Sequence, residues 1–243
     1  MKLLLLAIGL IFSFSVTAQT SVQGNVTNWT QGEAVIANFG MFNKEMTEMG
    51  TISPDGTLNI PLDPDYFNTI KKRAEKEAAE APKGWSMNYN TAASVFSCMS
   101  EENITTNNGE AIVIGLPELL ITDKSGQKEY GYLYAVSSPE IAWWLQSYGQ
   151  KGISPGYYLR WIYLEAPASV TGECKVPTYT GNDEEMYEDT TLFDVQLEKG
   201  WNVVKYEIAE IFTSQSGKTY PSKTLVSKLQ AVPDDLQWQA IGD

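Results

Sequence analysis

The sequence contains no histidine. Every mechanism that uses an imidazole is therefore closed to it: Ser-His-Asp and Cys-His nucleophilic sites, zincin helices and His-ligated catalytic zinc. Carboxylate, tyrosine and lysine chemistry stay open. Cysteine is scarce as well. The two present cannot supply a four-thiolate zinc or iron–sulfur site within one chain, and we expect neither metal nor cofactor. Cations are the third shortage: 17 Lys and Arg stand against 30 Asp and Glu, a formal net charge of −13. Nucleic-acid binders show a basic face that neutralises phosphates, so nucleic acid is not an expected partner. An anionic lipid surface is set aside on the same ground. No long apolar run follows the N-terminus, so no transmembrane segment is expected after it.

The N-terminus itself reads as a targeting segment. Lys2 is a short positive region, Leu3 to Phe14 an apolar one, and Val16-Thr17-Ala18 places small residues at a cleavage site. We expect residues 1–18 to be a signal peptide and residues 19–243 the mature protein, exported to the periplasm or the cell exterior. Export changes the meaning of the cysteines. Cys98 follows Ser94-Val95-Phe96-Ser97, a strand-like run. Cys174 shares one face of an alternating segment with Val170 and Val176. In an oxidising compartment, Cys98 and Cys174 are candidates for one disulfide closing a long loop; two buried free thiols are the alternative.

Most of the mature chain alternates as β-strands do. Val22 to Val26, Ala34 to Phe39 and Met46 to Ile52 read as strands, and Ser53-Pro54-Asp55-Gly56 turns the last into Leu58, Ile60 and Leu62. Ala111 to Ile114 and Leu119 to Ile121 are continuous apolar runs, expected to be buried on both faces. Tyr130, Tyr132, Tyr134 and Val136 share one strand face. Tyr157 to Leu164, Phe193 to Leu197, Trp201 to Ile208 and a terminal strand around Trp238 follow. Two helices interrupt. One starts at an Asp63 cap and Pro64, and pairs Arg73 with Glu77 and Lys76 with Glu80 on a solvated face. The other is short, with Ser138-Pro139-Glu140 at its start, Ile141, Trp144, Leu145 and Tyr148 on one face, and Gly149 at its end. The expected fold is mainly β, an antiparallel β-sandwich with one or two short helices. We read one domain, with a candidate boundary near 82–90.

Three constellations could carry function. Aromatic residues crowd between 143 and 163. Helical phase turns Trp143 away from its helix's apolar face, while Tyr157, Trp161 and Tyr163 line one face of a strand that ends at Glu165. These five are the ligand-binding candidates, since flat aromatic faces pack against sugar rings. A hydrophobic core would use the same residues. Arg160 falls on the opposite face among Tyr158, Ile162 and Leu164. A paired structural guanidinium is the favoured reading there, and a carboxylate-binding group the other. Asp183-Glu184-Glu185 with Glu188-Asp189 lacks the EF-hand ligand order and reads as a solvated loop. Glycoside hydrolysis needs two carboxylates at set separation, and the sequence singles out no pair.

Two local patterns carry a resemblance. Leu197-Glu198-Lys199-Gly200-Trp201-Asn202 resembles a hairpin seen in secreted bacterial β-sandwich proteins of uncharacterised function. Gly24 with the later Pro-Asp-Gly turn is similar to the opening of bacterial carboxypeptidase-regulatory-like modules. Asp189-Thr190-Thr191 resembles the short O-glycosylation acceptor of some Gram-negative periplasms. The resemblances imply a bacterial envelope setting and bring no catalytic residues. The expectation is a non-catalytic envelope protein that acts by binding or structure, its partner a glycan or another envelope protein; a carboxylate-based glycan hydrolase is the alternative.

Overall fold

A computed structural model describes residues 20–42, 44–99, 103–182 and 184–242. The expected signal peptide and Asp183 lie outside them. The chain is half strand and 13% helix. Its strands are β1 Ser21–Asn25, β2 Ala34–Phe39, β3 Met46–Ile52, β4 Thr57–Pro61, β5 Asn90–Thr91, β6 Ile104–Asn107, β7 Ile112–Gly115, β8 Leu120–Thr122, β9 Glu129–Val136, β10 Gly156–Leu164, β11 Ala168–Tyr179, β12 Met186–Leu197, β13 Gly200–Thr213, β14 Thr219–Leu229 and β15 Gln237–Ile241. Three helices accompany them: α1 Tyr66–Glu80, α2 Ala92–Val95 and α3 Pro139–Gln146.

The strands form one continuous ladder in the order β1-β4-β3-β2-β8-β9-β10-β13-β14-β12-β11-β6. All pairings between these strands are antiparallel except β12 with β14. The ladder curls. β15 pairs with β9 along Gln237 to Ile241, and Val26 bridges Trp238 in parallel, reinforced by Thr27 N–H donating to the Trp238 carbonyl at 2.8 Å. Strands β1, β4, β3, β2, β8, β9 and β15 thus close a ring. Its apolar interior, Val22, Ile36, Ile52, Leu58, Ile60, Ile121 and Leu133, merges with Leu159 and Trp161 of β10.

Beyond the ring the ladder opens into a second sheet, β10-β13-β14-β12-β11-β6. One of its faces packs on the ring. The other carries Ile162, Leu164, Val204, Val226, Phe193, Val195 and Val170, and α2 covers it with Ala92 and Phe96. Cys98 and Cys174 are joined by a disulfide, Cα–Cα 5.6 Å, which ties the segment after α2 to β11. The far end of that face, Val136, Ile208 and Ile241, is covered by Ile141 and Ala142 of α3.

Four local expectations are corrected. Ser94 to Ser97 is not a strand: Thr91 caps α2, its hydroxyl accepting from Ser94 N–H at 3.3 Å while the Ser94 hydroxyl accepts from Thr91 N–H at 2.8 Å. The α1 cap is Asp65; Asp63 sits outside and accepts from Asp65 N–H and the Thr69 hydroxyl. Neither pairing expected along α1 forms: Glu77 is buried and accepts from Phe42 N–H at 3.0 Å, and Lys76 pairs with Glu45. A backbone donor in a loop that α1 covers outbids an exposed ion pair, which contributes little. Finally, β7 is buried only at Val113, because it lies at the edge of the opening between the two sheets.

Candidate functional site

Strand β10 is where the ladder divides. On one edge it meets β9 only at Tyr158↔Val136 and β7 only at Ile162 to Leu164. Between these two contacts the chain diverges, and Arg160 stands in the gap. On its other edge β10 is paired with β13 throughout, which places Tyr158 opposite Tyr206 and Arg160 opposite Val204. The Tyr158 and Tyr206 rings stack in parallel with centroids 4.9 Å apart. The Arg160 guanidinium lies 5.8 and 5.9 Å from their centroids, within cation–π range. Trp144 of α3 leans on Tyr158 at 6.4 Å.

These residues floor a groove of about 710 Å³, flanked by Asn90 and Val95 near α2, by Leu116 and Glu118 before β8, by Tyr132 and Tyr134 of β9, and by Tyr148 after α3. Its electrostatics follow from burial. Loss of water pushes the Tyr158 and Tyr206 phenols up, so both stay neutral donors; Arg160 pulls each back. Neither phenol hydroxyl bonds to a described residue, and Arg160 is exposed with no ion pair or hydrogen bond among them. The paired structural guanidinium expected from sequence is therefore not what stands there. A fixed cation, two free hydroxyls and a flat apolar floor can hold a carboxylate beside a ring face.

The five sequence candidates separate. Tyr157, Trp161 and Tyr163 point to the opposite face and are core: Trp161 is 4% exposed, stacks on Trp238 at 5.5 Å, and with it reaches the groove only as part of its wall. The Tyr157 hydroxyl donates to Asp235 at 2.6 Å, and that of Tyr163 to the Pro64 carbonyl at 3.1 Å. Burial takes these rings out of reach as a surface platform. Glu165 is exposed past the end of β10 and lines neither this groove nor a second one. Trp143 alone is open, 40% exposed, and faces that second groove, with Lys151 Nζ 3.9 Å from its ring. Tyr206 was missed by sequence reasoning because β13 meets β10 only in the fold. Arg160 inside an apolar row was the signal available.

Among the described residues no group of three or more Cys, Asp or Glu is arranged to hold a metal ion. Glu188 and Asp189 lie in β12 rather than in a loop. Thr190, the acceptor position of the glycosylation-like triplet, is buried between two paired strands. No described helix is long and apolar enough to cross a membrane. No protein-family model, no curated protein and no solved structure matches this chain.

Proposed function

We propose that this chain is an exported envelope protein that acts by binding, and that the groove on β10 and β13 is its site. The ligand is a glycan bearing a carboxylate. The observation that carries this reading is Arg160: an exposed guanidinium with no ion pair or hydrogen bond among the described residues, held over two stacked tyrosines, in a chain with 30 acidic residues. A cation left unpaired amid such an excess of acid is suited to an anion from outside. Export draws support from the signal-peptide pattern and from the Cys98–Cys174 disulfide.

Binding is favoured over hydrolysis by the groove's own acids. Among the described residues Glu118 is the one carboxylate along it, where two are needed for the usual glycosidase mechanisms. Calorimetric titration with galacturonate tests the proposal. We expect binding that Arg160→Gln weakens about tenfold or more, the scale of a hydrogen bond to a charged group. Equal affinity for galactose and galacturonate, or an unchanged Arg160→Gln variant, overturns it.

A further inference from the structure

The second groove lies on the other side of α3. It too measures about 710 Å³, and it is bordered by Trp29, Tyr130, Trp143 and the side-chain amides of Asn28, Gln146 and Gln239. Amides with exposed indoles suit a hydroxyl-rich ring rather than a hydrocarbon. The two grooves are not independent. Adjacent residues of α3 face one each, Trp144 the first and Trp143 the second. Tyr132 borders both. Gln146 of the second accepts a hydrogen bond from the Tyr134 hydroxyl of the first, at 2.5 Å. Most telling is β9 itself. Tyr132 and Tyr134 are alternate residues of one strand and share a face about 6.8 Å apart, whereas a bulge at Tyr130, beside Gly131 at φ 111°, packs Tyr130 against the ring core and Trp29. Tyr130 belongs to the second groove, Tyr132 to both and Tyr134 to the first.

The geometry points to a single extended path: Tyr132, which borders both, and the adjacent Trp144 and Trp143 of α3 join the Arg160 groove to the Trp143 groove, and together they bind an acidic oligosaccharide several sugars long. This rests on the reading of the first groove and adds the length of the ligand to it. Two cations continue the electrostatics. Lys128 Nζ sits 4.7 Å from the Tyr130 ring centroid and Lys151 Nζ 3.9 Å from that of Trp143, neither in an ion pair among the described residues. Among the described residues Glu129 is the one acid bordering the second groove, and it can accept from sugar hydroxyls. An acidic peptide would match the cations, but has no ring faces for the tyrosines.

When two subsites hold one ligand, the second contact is intramolecular and affinity climbs with length. Titration of the whole protein with galacturonate and its dimer, tetramer and hexamer reads this directly. We expect affinity to rise about tenfold or more from monomer to tetramer. Trp143→Ala and Lys151→Met should each reduce that rise to about twofold while leaving monomer affinity unchanged, which also shows that the variants fold. A flat series in the wild type overturns the extended path, as does an unaltered rise in both variants, or tighter binding of a polyglutamate peptide than of the hexamer. Absence of monomer binding sinks the reading of the first groove; monomer binding with a flat series sinks only this one.

Discussion

The two faces of β10 both carry tyrosine and live in different surroundings. On one side the Tyr157 and Tyr163 hydroxyls are bonded, and the Trp161 and Tyr163 rings pack against Trp238, Trp201 and Tyr66. Tyr158 and Arg160 on the other side meet Tyr206 and then open space. Residue type does not separate them. What separates them is coverage: the ring of strands buries the first face, leaving only Leu159 and Trp161 to reach the groove wall, whereas α2 and α3 cover only the ends of the second. A groove is what remains when two short helices share a face neither can span.

That contrast can be broken at several points. The covering of the second face depends most on the disulfide, because α2 is a single turn. Closing a loop of 76 residues stabilises by about 4.5 kcal/mol in the chain-entropy model. Urea unfolding with and without reductant should show a loss of that order. Reduction should also weaken galacturonate binding, since Asn90 and Val95 border the groove. The next largest effect belongs to the buried face. Trp161→Ala should destabilise by about 4 kcal/mol, the range for a large aromatic removed from a core. Arg160→Gln, one residue away, should change stability by less than about 0.5 kcal/mol. Equal losses in the two variants would erase the distinction between the faces.

The smallest effect lies further along the open face. Asp189 of β12 has a buried oxygen, Oδ1, with no hydrogen-bond partner, and burial raises its carboxyl above the ordinary range. A raised carboxyl binds its proton more tightly folded than unfolded. The folded state is therefore favoured below the unfolded pKa and loses that advantage as pH rises through the carboxylate range. Asp189→Asn should stabilise by up to about 1 kcal/mol at neutral pH. The gain should vanish in acid, which unfolding at two pH values checks.

Local signals in the sequence were sound where the structure is local. Pro54-Asp55-Gly56 turns as read, with Gly56 at φ 87°. Lys199-Gly200 also turns, with Gly200 at φ 94° and Asn202 locking the hairpin through the Glu198 N–H and the Glu198 and Gly200 carbonyls. Alternation placed Cys174 inward, and its partner was there. Tyr148 was read as part of the α3 stripe, but the helix stops at Gln146 and Tyr148 turns outward at φ 51°. The site was less legible for a physical reason. Alternation tells which residues share a face, and on β10 both faces are apolar, so it cannot tell which one is covered. That depends on Trp238, Val204 and α2, all distant in sequence. The short α2 carried its signal in Thr91 and Ser94, polar residues easily passed over beside the apolar Val95 and Phe96.

The bridge between Val26 and Trp238 bears on how the molecule is made. Its two halves lie far apart in sequence, so the strand that closes the ring, β15, is synthesised long after the strand it joins. Until then β9 lacks one neighbour and Trp161 its stacking partner. The early strands can form hairpins but cannot complete their core. The ring therefore cannot close before both segments have been made, and its core is completed by the later one.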